Sequence, residues 1–250
     1  MKNIDLKSVI IGVLSTLLVF MFIGANNQDE NLGDIVVNSI SILDNGLGGF
    51  ITIYNKKGDR THHIGILEGG GGGLTTYGEN DKETGYFGTG IGGGVLELYG
   101  DNGKHTGYFG ASESGSGILE TFNDNGKKTG YFGTFEGGGV LRTFNDNGEM
   151  SGHFGTGESD GGMLSTYNDN GEMTGYFGTA GGGSGMLETY GENGKATGYF
   201  GTGVGGVGML RTFNDNGEMT GYFGTFEGGG GVIVLNDRYG DPGWSESGKK

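Results

Sequence analysis

The chain has 250 residues, of which 63 are Gly, one is Pro and none is Cys, and it carries a net charge of −15. So much Gly without a three-residue period excludes collagen, the acidic balance excludes a basic stripe for nucleic-acid phosphates, and the lack of Cys excludes disulfide staples. Gly-rich chains are often disordered, but here aromatic residues recur on a beat that disorder does not require.

The N-terminus is a separate object. Lys2 and Lys7 precede an uncharged run from Ser8 to Ala25, SVIIGVLSTLLVFMFIGA, and Asp29 and Glu30 follow it. A run of about 18 apolar residues is long enough to span a bilayer as a helix. The flanking lysines place its start in the cytoplasm, so the expectation for residues 1–25 is a membrane anchor with everything after it outside. A cleaved signal ending at Ala25 competes, and would give a secreted or periplasmic protein. Residues 26–46 read as a linker and lead-in cap, with short apolar runs at Ile35–Val37 and Ile40–Leu43.

Residues 47–236 are a repeat array. The aromatic before each turn falls at Tyr54, Tyr77, Tyr99, Phe122, Phe144, Tyr167, Tyr190 and Phe213, always 22 or 23 apart. The apolar residue after each turn, from Ile64 and Phe87 through to Phe223, follows its partner by ten in all eight copies. Length therefore varies only in the Gly-rich links. That is what one hairpin per repeat requires, since a slip inside a hairpin turns every side chain to the wrong face whereas a link absorbs a residue. The type copy is Leu141–Thr156, LRTFNDNGEMSGHFGT. Asn145-Asp146-Asn147-Gly148 suits a three-residue loop, a type I turn closed by Gly148 in the left-handed region. A two-residue Asn-Gly loop is the competing choice. The longer loop pairs Phe144 with Met150, Thr143 with Ser151, Arg142 with Gly152 and Leu141 with His153. Val140, Phe144, Met150 and Phe154 then share one face. The expected fold is an all-β hairpin meander or solenoid of about sixteen strands behind one transmembrane-type helix; a parallel solenoid is the rival. The segment from Gly231 to Asn236 reads as a half-copy that ends the array. Residues 237–250 read as a disordered polar tail, with Trp244 exposed or docked on the last hairpin.

Chemistry is scarcer. His62, His63, His105 and His153 are scattered rather than clustered as zinc ligands would be. No Ser stands in a nucleophile pattern, and no Gly run carries the lysine of a phosphate loop. No enzyme, cofactor or nucleic-acid partner is expected. Asp101, Asp124, Asp146, Asp169 and Asp215 hold one turn position in successive repeats, and are weak calcium candidates if hairpins stack in register. Thr76/Thr84, Thr121/Thr129, Thr143/Ser151, Thr166/Thr174, Thr189/Thr197 and Thr212/Thr220 form a cross-strand ladder, an ice- or glycan-binding pattern or simply good sheet chemistry. The recurring Gly after the turn, Gly152 in the type copy, is expected to lie under the ring of Phe144 or Phe154.

Asn147-Gly148-Glu149-Met150-Ser151-Gly152, with the aromatic Phe144 and the 22–23-residue period, resembles MORN-type hairpin repeats over roughly residues 50–236. The usual Tyr-x-Gly-x-Trp opening is missing and Gly-rich links stand in its place. The resemblance implies a scaffold or a membrane- or protein-contact surface and gives no site residues. The functional expectation is an exported, membrane-anchored structural or interaction protein presenting an extended β surface to a protein, a glycan or itself. The alternative is a ligand-binding array using the acidic turns or the Thr ladder.

Overall fold

A computed structural model describes residues 13–17, 42, 48–66, 71–157, 161–180, 182–226 and 228–248. Residues 13–17 are helical. The rest of the anchor, and the lead-in cap apart from Ile42, lie outside the described residues. Among the described residues no helix is long and apolar enough to cross a membrane.

The array is an antiparallel meander of eighteen strands. The first six are β1 (Phe50–Tyr54), β2 (Arg60–Ile66), β3 (Gly72–Tyr77), β4 (Glu83–Gly90), β5 (Gly93–Tyr99) and β6 (His105–Ala111). The next six are β7 (Gly117–Phe122), β8 (Lys128–Phe135), β9 (Gly138–Phe144), β10 (Met150–Thr156), β11 (Gly162–Tyr167) and β12 (Met173–Thr179). Then follow β13 (Gly185–Tyr190), β14 (Ala196–Thr202), β15 (Gly208–Phe213), β16 (Met219–Thr225), β17 (Gly231–Asn236) and β18 (Pro242–Ser247). Each strand pairs with its neighbours in the chain, and β1 and β18 have one partner each among the described residues, so the sheet is open. The parallel solenoid is thereby excluded.

The turns form as their chemistry dictates. Asn145 N–H donates to the Glu149 carbonyl at 2.9 Å and Gly148 N–H to the Asn145 carbonyl at 2.9 Å, with Gly148 at φ +87°. This is the three-residue loop. The Asn145 side-chain oxygen accepts from the backbone N–H of Asn147 and Glu149, at 3.0 and 2.9 Å, which ties the loop to its first residue. The links explain the two repeat lengths. Most are further three-residue loops, such as Ala180 to Ser184. Ile91-Gly92 and Glu136-Gly137 are two-residue turns, inside the pairs Gly90/Gly93 and Phe135/Gly138. These are the two places where the period is 22.

Two expectations need correction. Phe144 does pair with Met150, but Ser151 is then an extra residue, and the pairing continues Thr143/Gly152, Arg142/His153, Leu141/Phe154 and Val140/Gly155. This β-bulge, which bends the ladder by one residue, recurs beside the turn in every hairpin, at the corresponding place. It carries Phe154 to the face opposite Phe144 and Val140. The second correction is the tail. Asp237 to Asp241 is another three-residue loop, with Asp237 in the role of Asn145, and β18 pairs along β17 with Trp244 opposite Leu235. The supposed half-copy is one arm of a ninth hairpin.

The bulge sorts chemistry between faces. On one face the Tyr row lies against the glycine two residues onward, its hydroxyl donating to the carbonyl after that glycine. The Tyr176, Tyr199 and Tyr222 hydroxyls reach the carbonyls of Thr179, Thr202 and Thr225 at 2.9, 2.9 and 3.0 Å. Val95, Val140 and Met209 on this face are buried. This self-covered face is the core of a sheet that has one layer.

Candidate functional site: the open face

The other face shows three rows running across the strands. In the middle row Phe and Leu alternate from strand to strand: Leu119/Phe132, Phe132/Leu141, Leu141/Phe154, Phe154/Leu164 and onward in both directions. It extends unbroken from Leu74 on β3 to Phe223 on β16, and Ile51, Ile64 and Ile233 continue it at the ends. Phe87, Phe109, Phe132, Phe154, Phe177, Phe200 and Phe223 are 60–63% exposed, and Leu96, Leu119, Leu141, Leu164, Leu187 and Leu210 are 38–45% exposed. Scattered apolar residues on a surface are ordinary, but a contiguous row of this length is not.

Low lanes flank this ridge on both sides. Toward the turns runs a lane of Thr alternating with Gly, for example Gly130/Thr143 and Thr143/Gly152, with Leu98 in the Thr place on β5. Its Thr hydroxyls pair with those of the bulge residues at 2.9–3.2 Å, in all six predicted pairs. The Cα partner of each Thr is Gly, however, and a Cβ on Gly152 would stand 2.9 Å from the Thr143 hydroxyl, with no ring nearby. The ring-over-glycine expectation therefore fails at Gly152. A different glycine is crowded by an aromatic side chain, the one after the Phe, where a Cβ on Gly178 would lie 2.8 Å from the Tyr176 hydroxyl and 2.7 Å from the Gly162 carbonyl.

Toward the links runs the second lane, with pairs such as Thr134/Gly139, Thr156/Gly162 and Thr179/Gly185. From β3 to β16 the ridge and both lanes carry no charged side chain.

On β18 Glu246 stands opposite Ile233 on the open side, and Glu113 and Glu136 lie in links; from β3 to β16 the charged strand residues lie on the self-covered face. There Glu97, Glu120, Arg142, Glu188 and Arg211 stand between Tyr or His neighbours. Burial and a hydrogen bond to Glu188, at 2.5 Å, push the Tyr190 hydroxyl up to about 12. Burial, with the Glu97 carboxylate beside it, pushes Tyr99 up as well. His153 takes the Tyr place in its repeat. Arg142 Nε–H donates to its Nδ1 at 3.2 Å, and burial first, then the Arg142 charge, lower its pKa against a weaker backbone bond toward Thr156.

The calcium candidates do not converge. Equivalent turns lie two strands apart, roughly 10 Å at sheet spacing, whereas a calcium ion draws oxygens to about 2.3–2.6 Å. Among the described residues no group of three His, Asp or Glu side chains is placed to hold a metal. What links successive turns is side-chain donors on backbone carbonyls: the amides of Asn102, Asn145 and Asn193 donate to the carbonyls of Asp124, Asp169 and Asp215, at 2.9, 3.2 and 2.7 Å, and the ammonium groups of Lys82, Lys127 and Lys195 donate to those of Asp101, Asn147 and Asn216, at 2.8, 3.1 and 2.9 Å.

No protein-family model and no curated protein sequence matches the chain. A solved structure titled "Crystal Structure of TcdB2-TccC3-TEV" is similar over 78% of this chain and 11% of its own, at 12% identity and a TM-score of 0.19. The chain spans about a tenth of that structure's length, and so loose a superposition carries nothing about function.

Proposed function

We propose that this is an exported, membrane-anchored structural or interaction protein whose repeat array presents the open face as an extended contact surface. The observation that carries the reading is the uncharged Phe–Leu ridge, exposed across thirteen consecutive strands from β4 to β16. A typical monomer's largest apolar patch is about 300–600 Å²; the ridge exceeds this. The anchor is part of the proposal and rests on the uncharged run from Ser8 to Ala25, with residues 13–17 helical.

The test uses the absence of native Cys. Phe154→Cys and, as an exposed turn reference, Asp146→Cys are labelled with a monofunctional maleimide, in intact cells and again after the chain is purified. The proposal expects Phe154→Cys to be shielded in cells relative to Asp146→Cys, and the two to react alike once the chain is isolated and unfolded. Equal labelling of both in cells contradicts it.

A further inference from the structure

The glycines of the link-side lane have no task inside the fold. An added Cβ at Gly72, Gly94, Gly117, Gly139, Gly162 or Gly185 would meet no atom within 4 Å, and none of the six needs a positive φ. Gly in a strand weakens it, so recurrence at one register position requires a reason, and close approach of something from outside supplies one. The turn-side glycines differ, since Thr hydroxyls already crowd them.

We infer that the open faces of two copies of this chain pack against each other, the ridge of each lying in the link-side lane of the other. This rests on the reading of the open face as a contact surface and names its partner. Three observations select a second copy. Phe recurs on every second strand, a pitch of about 10 Å, and the open glycines recur at the same pitch, so the ridge of one copy matches the lane of another in period. Both lack charge from β3 to β16, so two chains of net charge −15 meet through the surface that contributes nothing to their repulsion. The area suffices as well. An aromatic side chain buries about 150–250 Å², so the exposed ridge offers on the order of 1,000 Å² per chain and about 2,000 Å² per pair, against roughly 1,600 Å² for a standard interface. Two sheets joined this way stand about 10 Å apart, as in a β-sandwich, with ridges side by side. Because the same patch serves on both chains, the assembly closes as a dimer.

The experiment uses the full-length chain in lysate without detergent. Phe154→Cys is treated with a short bismaleimide, beside Glu188→Cys on the self-covered face. Self-pairing predicts a dimer that accounts for most of the Phe154→Cys chain and is absent for Glu188→Cys. A second variant adds Gly139→Val and Gly162→Val to Phe154→Cys. Val favours strands and meets no neighbour there, so its melting temperature stays level or rises, while the filled lane removes the cross-link. A Phe154→Cys that does not cross-link yet stays shielded from a monofunctional maleimide overturns self-pairing and leaves the contact-surface reading standing. A Phe154→Cys that does not cross-link and reacts freely overturns both. Persistence of the cross-link in the filled-lane variant overturns the ridge-in-lane geometry.

Discussion

At the scale of the residue, a glycine's worth depends on which lane it occupies. A Cβ on Gly178 would stand against both the Tyr176 hydroxyl and the Gly162 carbonyl. Gly178→Ala therefore costs about 1–3 kcal/mol by overpacking, whereas Gly162→Ala, facing open space, stays within about 0.5 kcal/mol. Urea unfolding of the two variants, measured on dilute protein, checks the difference. His153 supplies a pH signature. Its lowered pKa means that between that value and the usual ~6.5 the unfolded chain binds more protons than the folded one, so stability rises with pH across this window. The contribution of the neutral ring is complete above ~6.5 and is lost as pH falls through the window. His153→Tyr, which restores the residue of neighbouring repeats, should flatten the slope of the urea midpoint between about pH 7 and pH 5. An unchanged slope would place the titration elsewhere.

At the scale of the element, a repeat has one rigid end and one tolerant end. The Asn145-to-Glu149 loop and the Ser151 bulge set which face each side chain takes; the links only reverse the chain. Deleting Gly182 converts a three-residue link into a two-residue one, a form already present at Ile91-Gly92 and Glu136-Gly137. It should shift stability by no more than about 1 kcal/mol, or ~2–4 °C in Tm. Inserting one residue between Met150 and Ser151 fills the bulge with the new residue, so that Ser151 pairs with Thr143 and Phe154 is forced opposite Val140, which is buried to 2% exposure. That insertion should cost more than ~3 kcal/mol. Circular dichroism melts of the deletion and the insertion decide whether tolerance is divided in this way.

At the scale of the whole molecule, the sequence disclosed the hairpins and concealed the faces. The Asn-Asp-Asn-Gly loop, the eight-fold beat and the constant ten-residue span are local signals, and they specified the meander. The bulge left no such mark. The segment Met150-Ser151-Gly152-His153-Phe154 fits either register, because apolar and small residues occur on both faces, and beyond the Phe144/Met150 pair only the Thr143–Ser151 hydroxyl contact survives the shift. The ridge stayed hidden for that reason, since the straight register set Phe154 beside Phe144. β18 was missed because Pro242-Gly-Trp-Ser-Glu-Ser247 lacks alternation, although Asp237 and Gly240 already carried the loop signature. The calcium row failed on distance: turn positions align along an edge, but two strand widths separate each carboxylate from the next.

The faces of the sheet follow from one feature: beyond the bulge each repeat's Phe faces its Leu on the open side and not the aromatic beside the turn. Directly opposed residues of an antiparallel pair hold their Cα atoms about 4.5–5.5 Å apart, inside the ~4.4–6.8 Å range of a disulfide, while a neighbour one residue along points its Cβ to the other face. In a chain without native Cys, the double variant Leu141→Cys/Phe154→Cys should close an intrachain disulfide under mild oxidation, and Leu141→Cys/His153→Cys should remain reduced. Mass spectrometry of the oxidised proteins reads the outcome. Closure of the His153 pair with the Phe154 pair left open would contradict the bulged register and, with it, the ridge and the surface built on it.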